Sequence, residues 1–381
     1  MKILHITPSY KPAFIYGGTT VSVSALCENL VQFGHEVTVY TTTANGTTEL
    51  PLNNKISAEV EGVQVFYFKR ITKDHTHFSP ELLVNLWKNA KKFEAIHIHS
   101  WWNLVAVFAT LICWLKGIKP ILAPRGMLSE YSFTHENSLK KQLIHTFLGK
   151  FLLSKTILHA TASQELQEGK QLIPNWQGFV LPNILQLPTY NITKAKTAAT
   201  KDFTILFLSR IDKKKGIEIL LEALQKITFP FHLHITGSGD ARYIEKLKNL
   251  AEKYQITHKI TWHGRIEGNL RYDLYADADV FVLPSYNENF ANVVIEALSV
   301  GTPVIVSKYV GLADYVSQHQ LGEVINLSAT ELQKALENLY KNTTLRQKIR
   351  QTAPQQIQKD FSAENLTVAY TKIYQEYHLN L

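Results

Sequence analysis

Glu288 and Glu296 stand eight positions apart in the stretch ENFANVVIEALSVGTPVIVS, residues 288–307. Two carboxylates at that spacing can bind a polyol, or they can face solvent on an ordinary surface helix. The apolar run Val280–Leu283 reads as a buried strand, and Glu288 follows it after Pro284, Ser285, Tyr286 and Asn287. A helix is expected to start near residues 289–292 and to end at Gly301, ahead of Pro303 and a further strand, Val304–Ser307. The N–H groups of Asn289, Phe290 and Ala291 would then lack helical partners and could hold a phosphate anion. Glu296 lies among Val293, Val294, Ile295, Ala297 and Leu298, where an unpaired carboxylate is costly. Two adjacent sugar hydroxyls would satisfy both of its oxygens.

Cations occur where such a ligand would need them. Arg210 follows the apolar run 203–209, and Lys215 with Gly216 precedes a helix whose apolar face includes Ile219, Leu220, Ala223 and Leu224. In parallel α/β sheets, ligands sit beyond the carboxyl ends of strands, which is where Arg210 falls. An arginine fork beside a lysine point charge suits phosphate oxygens, although the run Lys213–Lys215 alone also fits a solvated loop. Near the N-terminus, Gly17 and Gly18 precede Thr19 and Thr20, either of which can cap the next helix, and Gly34 stops that helix. Paired glycines let backbone approach a ligand closely, or simply make a turn. Their spacing is not GxGxxG, so a dinucleotide fingerprint is absent. The turn Gly237, Ser238, Gly239 and Asp240 fits a plain strand-to-helix connection better than a phosphate loop.

These residues require elements to position them. Strand-like runs at 2–7, 36–42, 63–68, 95–99, 121–123, 156–160 and 179–181 alternate with helix-like segments, the pattern of a parallel α/β fold. The pattern breaks at the polar stretch 193–202, read as a linker, and restarts at 203–209, 232–236, 260–263, 280–284 and 304–307. Leu366, Tyr370, Ile373 and Tyr374 at helical spacing predict a closing helix from Ala363 to about Tyr377. A chain of 381 residues accommodates two domains, expected at 1–190 and 202–362, with 363–381 packing back on the first.

The net charge of +8 is uneven: Lys and Arg exceed Asp and Glu by 19 to 12 in residues 1–200, and by 21 to 20 in 201–381. A basic first half suits an anionic partner, either a membrane surface or a phosphorylated substrate. No nucleic-acid motif accompanies it, so no nucleic-acid partner is expected. Residues 138–155 place Leu139, Leu143, Phe147 and Phe151 at helical spacing with Lys140, Lys141 and Lys150 elsewhere. Such a basic amphipathic helix could lie on an anionic membrane or pack on its own domain. Met1 and Lys2 lead straight into a strand-like run, so no signal peptide is expected. The longest apolar run, Leu104–Leu115, is too short to span a bilayer. Cys27 and Cys113 read as reduced structural thiols of a cytoplasmic protein.

Taken together, the motifs resemble the retaining nucleotide-sugar glycosyltransferases of family 4. These have the GT-B fold, two Rossmann-like domains with parallel sheets facing across a cleft. Glu288, seven residues and Glu296 match the family signature. The segments ADVFVLPS, ALSVGTPVIVS, GLADYV, SRIDKKKG, GSGD, HGRI and GGTTVSVSALCENLVQFGHEV look like it as well, in the expected order over nearly the whole chain.

The resemblance implies that Arg210 and Lys215 grip the donor diphosphate, Glu296 binds the ribose hydroxyls, and Glu288 binds hydroxyls of the transferred sugar. It implies that Gly17 and Gly18 close over the distal phosphate, and that the base, of a UDP- or GDP-sugar, rests near Gly264, Arg265 and Ile266. Many members carry a His before GM where this chain has Arg125, which could hold an acidic acceptor or make a structural salt bridge. His97 and His99 end a strand on the same side. One of them could line the acceptor, and a hydrogen-bonded structural role suits each.

Asp277 and Asp279 mimic a metal-binding DxD. Their place between a short helix and a buried strand argues against that role, and no metal or other cofactor is expected. The reaction implied is transfer of a hexosyl unit to a saccharide or lipid-linked acceptor with retention, in surface polysaccharide assembly. It would take place in the cytoplasm or at the inner face of the membrane. A nucleotide-sugar epimerase of the same architecture and a non-catalytic sugar-nucleotide-binding paralogue are the alternatives.

Overall fold

The short apolar runs become parallel strands with both faces buried, as helices on either side of a sheet demand. In the computed structural model, residues 1–51, 57–134, 145–187, 202–266 and 268–378 are described. The chain divides into two units, Met1–Gln186 with Phe361–Leu381, and Leu187–Asp360.

In the first unit the strands are β1 (Lys2–Ile6), β2 (Glu36–Thr42), a small hairpin β3 (Ala44–Asn45) and β4 (Thr48–Glu49), β5 (Ser57–Val60), β6 (Val63–Phe68), β7 (Ala95–His99), β8 (Ile121–Ala123), β9 (Ile157–Ala160) and β10 (Gly178–Val180). The main sheet runs β10-β9-β8-β7-β1-β2-β6-β5, parallel except for the β5–β6 pair. Helices α1 (Gly18–Gln32), α2 (Pro80–Asn89) and α3 (Leu104–Leu115) supply the apolar residues that cover it. Leu82, Leu86, Val105 and Ala109 pack with Leu4 and Ile98 in one core. Val23, Leu26 and Leu30 pack in the other with Leu366, Tyr370 and Tyr374 of the closing helix Ala363–Glu376. Cys27 and Cys113 are free and buried in these cores.

The second unit holds β11 (Phe203–Leu208), β12 (Phe231–Thr236), β13 (Ile260–Gly264), β14 (Val280–Leu283), β15 (Val304–Ser307) and β16 (Gly322–Ile325), all parallel, in the order β13-β12-β11-β14-β15-β16. Strand order reverses between β11 and β14, so the loops leaving these two strands flank a topological switch point.

Four strands escaped the sequence pattern: the two short strands of the β3–β4 hairpin and two edge strands of the main sheets. Ser57–Val60 is an antiparallel edge strand of mixed polarity, and Gly322–Ile325 is a short edge strand beside β15. Helix α1 is not capped by Thr19 or Thr20. Gly17 is its N-cap, with no side-chain cap bond, while the Thr20 hydroxyl is drawn into a buried contact with Ser9 at 3.3 Å. The expected linker lies outside the described residues except for Asp202, as do residues 138–144 of the basic amphipathic segment. That segment is described from His145 and includes the helix Lys150–Ser154. No described helix is long and apolar enough to cross a membrane.

Candidate functional site

The loops at the carboxyl edge of the second sheet are hydrogen-bonded to one another, strand by strand. Ile211 N donates to Ser238 O at 2.9 Å, Gly237 N to Gly264 O at 2.7 Å, and Tyr286 N to Lys214 O at 2.8 Å. Glycines make this crowding possible. A Cβ on Gly216 would overlap the Pro284 carbonyl oxygen, and one on Gly237 or Gly239 would overlap the carbonyl of Ser209 or Ile211. The GSG turn is therefore a packing device, as its plain reading held. By this lacing, Arg210, Lys215, Gly264 and Glu288 are gathered at one sheet edge.

Arg210 is exposed there. Asp212 caps the short turn Lys213–Lys215 by accepting from Lys214 N at 2.9 Å, and Gly216 follows in the left-handed conformation at φ 68°. The turn points Lys215 inward, where its Nζ meets Glu288 Oε1 in a largely buried ion pair. Glu288 is fixed through its backbone: its N–H donates to Tyr309 O at 2.9 Å, and its carbonyl accepts from Gly311 N at 2.8 Å. The Ser285 hydroxyl adds a bond to the same carboxylate oxygen at 3.2 Å. Burial alone would raise the Glu288 pKa. The adjacent Lys215 ammonium, its hydrogen bond, Lys214 and Ser285 together hold it below the usual carboxylate range.

Glu296 lies in the helix Asn292–Ser299 with protein partners that its sequence neighbourhood does not reveal. Arg271 Nη2 stands 3.4 Å from its Oε1, and the Tyr275 hydroxyl donates to Oε2 at 3.3 Å. The argument that this carboxylate needs a sugar to satisfy it is therefore corrected: Arg271 and Tyr275 already do so in part. Burial dominates these contacts and raises its pKa.

The helix begins three residues later than the earliest start the pattern allowed. Asn289, Phe290 and Ala291 precede it, and Ala291 is its N-cap at φ 69°, ψ 70°. Their N–H groups are thus not the first-turn amides; that place belongs to Asn292 and Val293. A left-handed Ala is strained by about 1 kcal/mol and persists only where its surroundings impose it.

Gly264 closes β13 at φ 68°, exposed, with open space where a Cβ would point, and Arg265 and Ile266 follow it in the loop. Asp279 has a structural role, its carboxylate accepting from Thr204 N at 2.9 Å and so joining β14 to β11.

In the first unit, Gly17 takes φ 69°, ψ −135°, a region open to glycine, and Gly18 begins α1 in an exposed position. Arg125 follows β8 at φ 58°. Its Nη1 donates to Asn183 Oδ1 and its Nη2 to His99 Nδ1 at 3.2 Å, while its Nε has no partner. Among the described residues no carboxylate forms an ion pair with it, so the structural salt bridge weighed from sequence is absent there.

His99 is fully buried, with Arg125 against its Nδ1. Behind it runs a chain of imidazoles that one tautomer set satisfies. His99 Nδ1 accepts from Arg125, so its Nε2 donates to His5 Nδ1 at 2.9 Å. His159 Nε2 donates to Leu181 O at 2.9 Å, so its Nδ1 accepts from His97 Nε2 at 3.1 Å, and His97 Nδ1 accepts from the Tyr374 hydroxyl at 2.9 Å. His5 Nε2 is the one ring nitrogen left without a partner. Burial, helped by the Arg125 charge, lowers His5 and His159 to about 3 and holds His97 and His99 well below their usual value. All four are neutral at physiological pH.

Ligand atoms of His5, His97 and His99 lie within 4.8 Å of one another, a grouping that could in principle hold a metal ion. The neighbouring guanidinium opposes a cation there, and most of these nitrogens are committed to each other. Of this network, sequence singled out only His97, His99 and Arg125; His5 and His159 join them from neighbouring strands, Asn183 from a loop, and Tyr370 and Tyr374 from the closing helix.

Two parallel α/β units of this design are the GT-B fold. Sucrose-phosphate synthase from Thermosynechococcus elongatus superposes with a TM-score of 0.78 at 19% identity over 99% of each chain. HepE of Anabaena, in complex with UDP and glucose, gives 0.75 at 17% identity over 99% of this chain and 100% of its own. A family model described as glycosyl transferases group 1 matches residues 190–356, and one described as glycosyltransferase family 4 matches 16–183. An uncharacterized glycosyltransferase of Methanocaldococcus jannaschii is 26% identical over 98% of both chains. The chain belongs to the group 1 glycosyltransferases of the family 4 type, and it is a transferase enzyme.

Proposed function

We propose that this glycosyltransferase is a retaining hexosyltransferase. It takes its sugar from a nucleoside diphosphate, UDP or GDP, and passes it to a saccharide or lipid-linked acceptor in surface polysaccharide assembly at the cytoplasmic face of a membrane. The observation that carries the reading is the gathering of Arg210, Lys215, Glu288 and Glu296 on the loops and helix beside the β11/β14 switch point. The complex of HepE with UDP and glucose supports the donor class.

In this reading the donor exchanges partners with the Lys215–Glu288 pair. The diphosphate takes the ammonium, and hydroxyls of the sugar take the carboxylate. Arg210 and the first-turn amides beyond Asn289, Phe290 and Ala291 share the phosphate charge, and Glu296, steadied by Arg271 and Tyr275, accepts from the ribose. Gly264, Arg265 and Ile266 border the base. Transfer breaks the bond from the anomeric carbon to the diphosphate oxygen, which leaves with the electron pair. The acceptor oxygen bonds that carbon on the same face and gives its proton to the departing diphosphate. The charge developing on the leaving group is met by Arg210, Lys215 and helix amides, so no metal ion is needed. In the first unit, Gly17 and Gly18 are assigned to the distal phosphate and Arg125 to the acceptor.

A thermal-shift panel of UDP-, GDP-, ADP- and TDP-sugars tests the reading, followed by transfer assays with and without EDTA. One base should stabilise the protein, and the product should keep the donor's anomeric configuration in either buffer. No stabilisation and no consumption with any donor would overturn it. Conversion of a donor to its epimer without an acceptor would make the protein an isomerase.

A further inference from the structure

Helix α3 carries no charged residue from Leu104 to Leu115, yet it lies at the surface of the first unit. A helix apolar on every side is ordinarily enclosed. Here Val105, Ala109 and Cys113 face the core, while Leu111 and Ile112 are only half-buried and Trp114 and Leu115 are exposed, Leu115 at 54%. The neighbouring elements extend this apolar surface. On the α3 side, the Trp114 ring packs edge-on against Phe151 of the helix Lys150–Ser154, with centroids 4.9 Å apart, and Phe151 is itself 42% exposed. At the same, C-terminal end of α3, Lys116 lies 4.0 Å over the ring of Trp87, a residue of α2 that is 46% exposed. Lys155 lies 5.3 Å over the Phe151 ring. The result is a continuous strip of aromatic and aliphatic side chains from α2 to Phe151, with an ammonium group at each end.

The charge around the strip is predominantly positive. Residues 80–92, 104–119 and 145–155, which build it, contain seven lysines against a single acidic residue, Glu81 in the first turn of α2. A protein partner with an apolar patch would account for the rings but not for this charge. An interface rich in tryptophan, with lysines whose stems lie along the rings and whose amines can swing outward, matches the boundary layer of an anionic bilayer. There rings enter the headgroup region and amines meet phosphates.

We infer that this face, formed by α2, α3 and the helix Lys150–Ser154, docks the enzyme on the surface of a membrane containing anionic phospholipid. The strip does not include the donor residues, so docking and donor binding are separable. The inference deepens the reading of a lipid-linked acceptor, because it places the enzyme where such an acceptor is found, but it does not require that reading to be correct.

The test is flotation of the full chain with phosphatidylcholine vesicles and with phosphatidylcholine–phosphatidylglycerol vesicles, without any nucleotide sugar. Binding is expected to the mixed vesicles and to fall as salt is raised. Replacing Lys116 and Lys155 by Gln should weaken it by at least tenfold, since each lysine near an anionic surface contributes about fivefold. Trp87→Ser with Leu115→Ser should weaken binding on both low-salt and high-salt vesicles, and both double variants should keep the wild-type thermal shift with the stabilising nucleotide. That shift also shows that the variants are folded, and it keeps failure of docking distinct from failure of donor binding. Absence of binding to mixed vesicles, or equal binding by wild type and variants, would overturn the inference. So would a dimer in sedimentation that the Trp87/Leu115 variant dissolves, because a second copy would then cover this face.

Discussion

Glu288 and Glu296, one signature, sit in opposite electrostatic surroundings. Lys215 holds Glu288 below the usual carboxylate range, whereas burial keeps Glu296 above it despite Arg271 and Tyr275. The sign of each contribution to stability follows by linkage. For Glu288 the unfolded chain binds more protons in the acid range, so its stabilisation is present above the unfolded pKa and is lost as pH falls through the folded one. For Glu296 the folded chain holds its proton longer, so stability declines as pH rises through the window between the two values. Melting curves of wild type, Glu288→Gln and Glu296→Gln across the acid-to-neutral range should therefore diverge in opposite directions. At neutral pH, Glu288→Gln should cost about 2 kcal/mol because it leaves the Lys215 ammonium buried without its counter-charge. Curves that stay parallel to wild type at every pH would remove the electrostatic assignment.

Among the elements, loops rather than strands decide where these groups stand. Gly216 and Gly264 share a φ of 68° but differ in surroundings, a Cβ meeting the Pro284 carbonyl at one and open space at the other. Gly216→Ala should lower stability by about 3 kcal/mol and disrupt donor binding, since the loop carrying Lys215 must move away from β14. Gly264→Ala should cost only about 1 kcal/mol, the left-handed penalty alone. Equal melting temperatures for the two variants would contradict this packing argument.

The strands that β-rich apolar runs mark were legible in sequence, because parallel strands buried on both faces leave a strong signal. The edge strands Ser57–Val60 and Gly322–Ile325 were not, since partial exposure permits mixed polarity. The helix start at Asn292 falls at the late end of the expected range 289–292, but its cap was not legible, because nothing in an alanine's identity announces a left-handed N-cap. Arg210, Lys215, Glu288 and Glu296, proposed to hold the donor, stood out in sequence through their types, their spacing and the family resemblance. Arg271 and Tyr275 beside Glu296, and Asn183 and His5 beside Arg125 and His99, did not stand out, because tertiary contact alone brings them near.

At the scale of the whole molecule, the chain's last helix belongs to its first unit and completes a polar core there. Tyr370 and Tyr374 are buried against the histidine chain behind Arg125, with the Tyr370 hydroxyl donating to Pro182 O at 2.9 Å. Tyr374→Phe strips His97 Nδ1 of its donor and should cost about 1–3 kcal/mol, seen as a lower melting temperature with donor affinity intact. A drop in donor affinity as large as that of the Glu296 variant would instead tie this network to donor binding.

The central claim is that one nucleotide sugar is held from ribose to hexose by Glu296, Lys215 with Arg210, and Glu288. Calorimetric titration of wild type, Glu296→Gln and Glu288→Gln tests it most directly, using the stabilising nucleoside diphosphate and its sugar conjugate in parallel. Glu296→Gln should weaken both ligands by about tenfold, equivalent to about 1.4 kcal/mol. Glu288→Gln should remove the extra affinity of the sugar conjugate and leave the bare nucleotide close to wild type. Wild-type affinity of both variants for both ligands would contradict the account.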